Sequence, residues 1–301
     1  MSLLKAENKL ISEGGHAFPS VNTLVPNELL EINVKLALSA IFDEEDLTKL
    51  PFKFIGNTSK PFLGDVDVAV DKAFVAEKLG VDPSDKKLYL ELVNLVKSKL
   101  PGSEAKAFTG FQQVSFTKDL VDAQGNPVPA INRDTQKPDL NVEAVFQIDL
   151  MLGTLGYLGK IMSGSPKGSQ YKAVYRNLFL MAIFGSLEQD TGTKDPKTGD
   201  KLYSRYDITN KDGMRQMIYR RLPNGKKLVV RDKILSTDPT EIARLLFRGP
   251  KTFDDIDSFE ELWVLVNGPD FLYPNKKQSI ISSFTDSLSG KGMAIPKEIS
   301  V

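Results

Sequence analysis

The sequence predicts an α+β protein of two domains, the second mainly helical and carrying a small antiparallel sheet. Three observations predict it. Apolar residues recur at helical spacing in both halves, and β-branched runs of strand length lie between them. A Gly/Ser/Pro-rich stretch at 153–168 separates the halves, giving domains at 1–155 and 156–301.

Residues 1–25 read as a turn-rich arm. A helix follows over 26–42, with Leu29, Ile32, Leu36 and Ile41 on one side and Pro26 suited to its first turn. Residues 52–55 form a short strand, 56–64 a polar loop and 65–70 a second strand. Asp82 and Pro83 open a helix through Leu88, Leu92, Leu95 and Val96, which Pro101-Gly102 stops. Long strands at 107–120 and 141–152 flank a polar excursion, an exposed hairpin or loop at 124–138. In the second half a helix runs over 169–187, with Tyr171, Val174, Leu178, Met181 and Ala182 apolar, and 190–200 is loop. Antiparallel strands fill 202–234, one pair turning at Pro223-Asn224-Gly225. Helices at 239–247, 258–266 and 276–288 and a loose tail at 290–301 complete the chain.

Composition excludes several chemistries. The chain has 301 residues, 41% apolar and 26% charged, with 39 Lys plus Arg against 39 Asp plus Glu. No global charge therefore draws it to nucleic acid or membrane, and any such surface is local. The apolar runs are too short to span a bilayer and no leader-like segment opens the chain, so no membrane partner is expected. With no cysteine there is no disulfide, thiolate metal site or cysteine nucleophile, which fits the cytoplasm, or a host's cytoplasm if the protein is viral. His16 is the only histidine, in a Gly-Gly-His-Ala-Phe-Pro turn, so zinc sites of the usual type and a Ser-His-Asp triad lack their parts. The paired glycines at 14–15 receive no role.

Three carboxylates stand out. Asp65 and Asp67 lie in Gly64-Asp65-Val66-Asp67-Val68, and Asp149 in Gln147-Ile148-Asp149-Leu150. An unpaired carboxylate in such apolar runs is costly. Residues i and i+2 of a strand share a face, so Asp65 and Asp67 project together. A third Asp from a neighbouring strand completes an all-oxygen cluster, and ligands of that kind favour Mg²⁺.

The order helix, strand ending at Ile55-Gly56, polar loop, Asp-x-Asp strand, helix, strand with one more Asp resembles the DNA polymerase beta superfamily of nucleotidyltransferases. That family's pattern is hydrophobic-Gly-Gly/Ser, a spacer, Asp-hydrophobic-Asp-hydrophobic, and later hydrophobic-Asp-hydrophobic. Here it reads Phe54-Ile55-Gly56-Asn57, Asp65-Val66-Asp67-Val68 and Ile148-Asp149-Leu150, over about 26–152. Asn57 departs from Gly or Ser, and the spacer is short; Thr58 and Ser59 offer a hydroxyl instead. The wording Gly56-Asn57-Thr58-Ser59-Lys60 is similar to phage-encoded members. The resemblance implies a polymerase-beta-like catalytic domain with a mixed sheet, and an active site in the cleft between the domains. It implies transfer of a nucleoside monophosphate from an NTP, ATP among them, to an acceptor hydroxyl, releasing pyrophosphate. Two Mg²⁺ ions, replaceable by Mn²⁺, would bridge Asp65 and Asp67, with Asp149 holding only the ion next to the attacking hydroxyl and also accepting its proton.

Gly56, Asn57, Thr58, Ser59 and Lys60 would present N–H groups and hydroxyls to the β- and γ-phosphates. Lys172 and Arg176, four apart on one helix face, and Lys167 are the cations expected against the triphosphate, where the family often places them. Tyr171 or Tyr175 could stack on the base, although aromatics at that spacing usually belong to a core. Between 201 and 233 basic residues outnumber acidic ones, with Tyr203, Tyr206 and Tyr219 interleaved. Arg215, Arg220, Arg221, Lys226, Lys227 and Arg231 are therefore the candidates for RNA backbone contact, which makes an RNA 3′ end the favoured acceptor. Asp254, Asp255, Asp257, Glu260 and Glu261 read as helix N-terminal acids, and Trp263 as core. Transfer to a protein or small molecule, and a non-catalytic viral protein binding nucleotide or nucleic acid, are the alternatives.

Overall fold

The computed structural model describes residues 17–56, 60–109, 112–166, 168–208 and 212–299. His16, Asn57, Thr58, Ser59 and Lys167 lie outside the described residues. The chain divides into two compact units, Met1–Leu155 and Gly156–Val301. Both belong to an α+β protein, and no helix among the described residues is long and apolar enough to cross a membrane.

The first unit runs β1 (Val25–Pro26), α1 (Asn27–Phe42), β2 (Phe52–Phe54), β3 (Phe62–Leu63), β4 (Val66–Asp71), α2 (Lys72–Leu79), α3 (Lys87–Lys99), β5 (Ala105–Phe108), β6 (Gln113–Asp119), β7 (Pro129–Ile131), β8 (Pro138–Glu143) and β9 (Val145–Gly153). Its main sheet is mixed and five-stranded, in the order β2-β4-β9-β6-β5. β4 and β9 are parallel, and the other neighbours are antiparallel.

Alternation along the strands sorts this sheet into two faces. Val66, Val68 and Val70, Val114 and Phe116, and Phe146, Ile148, Leu150 and Leu152 join one apolar core with residues of α1, α2 and α3. The intervening residues Asp67, Ser115, Thr117, Gln147 and Asp149 take the opposite face, which is polar yet largely buried. Burying that many polar groups is tolerable only where they satisfy one another, and it marks this face as the place to look for chemistry.

Local chemistry sets the start of α2. Asp71 continues the alternation of Asp65 and Asp67, but its carboxylate accepts from the N–H groups of Ala73 (2.9 Å) and Phe74 (3.0 Å) and caps α2. That eight-residue helix is too short to show a clear apolar period, so the sequence did not reveal it. The face of α1 also differs from expectation. Leu30, Val34, Ala37, Leu38 and Ile41 are buried while Leu36 is exposed. Asn33 is buried with them, its amide exchanging hydrogen bonds with the main chain of Val121. The strand expected over 107–120 is instead the β5–β6 hairpin, and the polar excursion contains β7 paired with β8.

The second unit begins within α4 (Leu155–Ile161), inside the glycine-rich boundary where no helix was expected. It continues with α5 (Ala173–Ser186), β10 (Gln189–Lys194), β11 (Lys201–Ile208), β12 (Met214–Arg221), β13 (Lys227–Ser236), α6 (Thr240–Leu246), α7 (Phe259–Asn267) and α8 (Lys277–Gly290). The four strands form an antiparallel sheet in chain order. β10 occupies a segment expected to be loop, because its polar residues alternate on an exposed edge with no apolar face to betray them. Phe179, Phe259 and Phe284 stack at the centre of the helical core, with Trp263 against them. The tail is anchored rather than loose. Met293 and Ile299 pack on this core, and Tyr171 Oη donates to Glu298 at 2.5 Å.

Candidate active site

Asp67 and Asp149 are direct partners across the parallel β4–β9 pair, and Ser115 sits opposite Asp149 on β6. The polar face therefore carries a row, Ser115–Asp149–Asp67, across three strands. Asp65 immediately precedes β4, and its negative charge acts on Asp149. At the other end of the row the Ile55 N–H donates to the Asp67 carbonyl at 3.1 Å, which lays Gly56 against the carboxylate. A Cβ on Gly56 would stand 3.3 Å from Asp67 Oδ2, and its φ of +75° suits glycine. The glycine turn and the carboxylate pair are thus one local structure.

Asp149 is 6% exposed. Burial raises its carboxyl above the ordinary range, hydrogen bonds from Ser115 and Gln147 oppose the rise, and the charge of Asp65 adds to it. Gln147 Nε2 donates to Asp149 Oδ1 at 2.9 Å. Gln113 Nε2 donates to Ser115 Oγ at 3.0 Å, which leaves the Ser115 hydroxyl proton for Asp149.

Arg133 was missed by sequence reasoning. It lies between β7 and β8, and its Nη2 donates to the Gly64 carbonyl at 2.9 Å, one residue before Asp65. Burial pulls the guanidinium pKa down while Asp65 pulls it up. Arg133 is one of two basic residues in the polar excursion, the other being Lys137, so nothing in the sequence tied it to Asp65, whose neighbourhood lies some seventy residues earlier.

The donor set fits a hard divalent cation. The row itself, Ser115, Asp149 and Asp67, with Gln113 and Gln147 beside it, offers oxygen and amide groups. Among the described residues no group of three or more acidic or histidine side chains is drawn tightly enough to enclose an ion alone.

The expected triphosphate cations require correction. Arg176 is 0% exposed. Its guanidinium donates to Asp257 Oδ1 (2.5 Å), the carbonyls of Asp257 (2.8 Å) and Ile161 (2.7 Å), and Asn177 Oδ1 (3.1 Å), and it lies 5.3 Å from the Phe253 ring centre. A longer contact to the Ser163 carbonyl (3.4 Å) takes up the remaining donor, which leaves little for a phosphate. Lys172 is exposed at the N-cap of α5, whereas Arg176 points into the core, so they do not form one cationic face. Lys60 is exposed, four residues beyond Gly56. Tyr171 and Tyr175 contact each other and Phe259, as core aromatics do.

The basic sheet also differs from the sequence count. Arg215 pairs with Asp207 and Asp232, both at 3.0 Å, and Arg220 with Asp195 (3.6 Å) and Asp200 (2.5 Å). Glu188 binds Arg221 and, at 2.7 Å, Lys227. Lys226 and Arg231 remain exposed on the last hairpin. Most of the expected cationic surface is thus neutralised by acids that lie outside the 201–233 window or across the sheet. Burial alone would raise Glu188, but hydrogen bonds from Lys227 and Arg221 outweigh it and hold its carboxyl at about 2. The cluster keeps its charge at any pH well above that value. Were the sheet to meet RNA as the sequence predicts, Glu188→Gln, which releases two cations, is expected to strengthen salt-dependent binding about threefold to tenfold, as measured by gel shift at two salt concentrations.

The chain matches no protein-family model, and no curated protein is significantly similar to it.

Proposed function

We propose that this chain is a Mg²⁺-dependent nucleotidyltransferase of polymerase-beta-like fold, moving a nucleoside monophosphate from an NTP to an acceptor hydroxyl. The observation that carries this reading is the pairing of Asp67 with Asp149 in register on parallel strands, with Gly56 against the Asp67 carboxylate. Asp65, Asp67 and Asp149 would hold the divalent cations. Bound there, Mg²⁺ lowers the pKa of the acceptor hydroxyl and neutralises the triphosphate. Gly56 lets the main chain of the turn approach the phosphates closely, and Arg133 adds positive charge beside Asp65. In the transfer, the hydroxyl oxygen forms a bond to the α-phosphorus while the bond to the bridging oxygen breaks. Pyrophosphate leaves with that electron pair, and Asp149 takes the hydroxyl proton; burial, which raises its pKa, suits it to do so.

The RNA 3′ end remains the first acceptor to test, through Lys226 and Arg231. The ion pairs that neutralise Arg215, Arg220, Arg221 and Lys227 favour a second reading, transfer to a protein or a small molecule. One experiment addresses both. The full chain and Asp67→Asn are incubated with each α-labelled NTP, Mg²⁺ or Mn²⁺, total RNA and a cell extract. Label passing to RNA with the native chain alone supports the first acceptor, and label on a protein or small molecule the second. No transfer under any condition, with no thermal stabilisation by Mg²⁺-NTP, would sink the enzyme reading.

A further inference from the structure

The buried hydrogen bonds around Asp149 all run in one direction. The main-chain N–H of Ala17 donates to Gln147 Oε1 at 2.8 Å. A main-chain N–H can only donate, so the oxygen end of the amide must face Ala17. The NH₂ end, which also can only donate, therefore faces Asp149 Oδ1, at 2.9 Å. From the other side Gln113 donates to Ser115, whose hydroxyl serves Asp149. Gln147 is 1% exposed, so no water competes for either end of its amide.

The segment that supplies Ala17 is fixed along its length. Asn22 exchanges hydrogen bonds with the main chain of Val145 at the start of β9, 3.1 Å for its N–H and 2.9 Å for its side-chain oxygen. Thr23 Oγ1 accepts from the Ile131 N–H at 2.8 Å, and the Leu24 N–H donates back to the Ile131 carbonyl at 3.2 Å. Residues 17–22 thus lie against the first part of β9, the strand that carries both Gln147 and Asp149, and Thr23 and Leu24 against β7.

We infer that Gln147 is a positioning residue for Asp149, and that the main chain at Ala17 sets its orientation, so that the N-terminal segment is a working part of the cation site. The inference rests on the nucleotidyltransferase reading, and concerns how that site is held. With its orientation fixed, Gln147 holds Oδ1 of Asp149 from one side while Ser115 serves the carboxylate from the other, so the carboxylate would already be oriented when it met a cation. Released, the amide can turn its own oxygen toward Asp149, where two acceptors repel and the carboxylate rotates.

The test uses the full chain and Mn²⁺ alone as the probe, followed by its electron paramagnetic resonance, so that turnover is not needed. Gln147→Met removes the donor at similar volume. Ala17→Pro removes the N–H that orients it without touching Gln147 or Asp149, though it also fixes φ at position 17. Each is expected to weaken Mn²⁺ binding about tenfold, and the double variant no more than either alone, because both act through one amide. Gln147→Glu, which adds a repelling carboxylate, is expected to bind worse than Gln147→Met. Unchanged Mn²⁺ affinity in both single variants, or effects that multiply in the double variant, would overturn the inference while leaving the nucleotidyltransferase reading intact. A native chain that binds no Mn²⁺ would instead sink that reading, and the inference with it. Circular dichroism of each variant at the assay temperature shows whether it is folded, and if Gln147→Met is not, Ala17→Pro and Gln147→Glu still decide.

Discussion

Asp149→Asn is expected to reduce nucleotide transfer by about a thousandfold or more while leaving the protein at least as stable as before. The loss follows from geometry. Asp149 faces Asp67 in register, and an amide cannot share a divalent cation with that carboxylate or take the acceptor's proton. The stability follows from burial. The carboxyl of Asp149 is raised above its ordinary value of 3.8, chiefly because burial penalises the charged form. The native state therefore binds that proton more tightly than the unfolded chain. Stability falls as pH rises from the unfolded value through the native one, and the penalty persists at neutral pH. Asparagine removes it, and its Oδ1 can still accept from Gln147. The measurement pairs a transfer assay with thermal unfolding at pH 7. A variant that loses activity together with stability would show that Asp149 is structural; one that keeps activity would remove it from the site.

This pairing of cost with position is what made the site legible. Carboxylates inside β-branched runs break the pattern of a buried strand, and the strand's period of two places Asp67 on the face opposite the valines. Their mutual register was not legible. It depends on how a strand at 66–71 pairs with one at 145–153, and that is decided by the helices and hairpin between them. Arg133 and Gln147 were hidden for the same reason. Each is ordinary until the fold brings Gly64 to one and Ala17 to the other.

The basic sheet failed in a different way. A sum over 201–233 counted residues that follow one another, whereas antiparallel pairing brings together residues that do not. Glu188, Asp195 and Asp200 precede the window and answer Arg220, Arg221 and Lys227 across strands. Charge along a β-sheet has to be counted across the ladder as well as along the chain.

Arg176 gives the second large prediction. Arg176→Ala is expected to destabilise the second unit by about 3–5 kcal/mol, since it leaves Asp257 and two main-chain carbonyls without their donor in a low-dielectric interior. Arg176→Lys keeps the charge but lacks the fork that reaches Asp257 and Ile161 together, so an intermediate loss is expected. Denaturant unfolding of both variants measures this. Their affinity for Mg²⁺-NTP, taken at low temperature where they are folded, should match the native chain. That combination separates the two roles the sequence allowed. A basic residue four positions from Lys172 reads equally well as a phosphate contact or as a buried tie, because spacing along a helix fixes which residues share a face but not which face is turned inward. A phosphate contact would show the opposite signature, with affinity lost in Arg176→Lys and stability nearly kept. Burial decides between them on energetic grounds. An arginine withdrawn from water with most of its donors already engaged would have to break several charge-assisted bonds to meet a ligand, and one phosphate contact does not repay them.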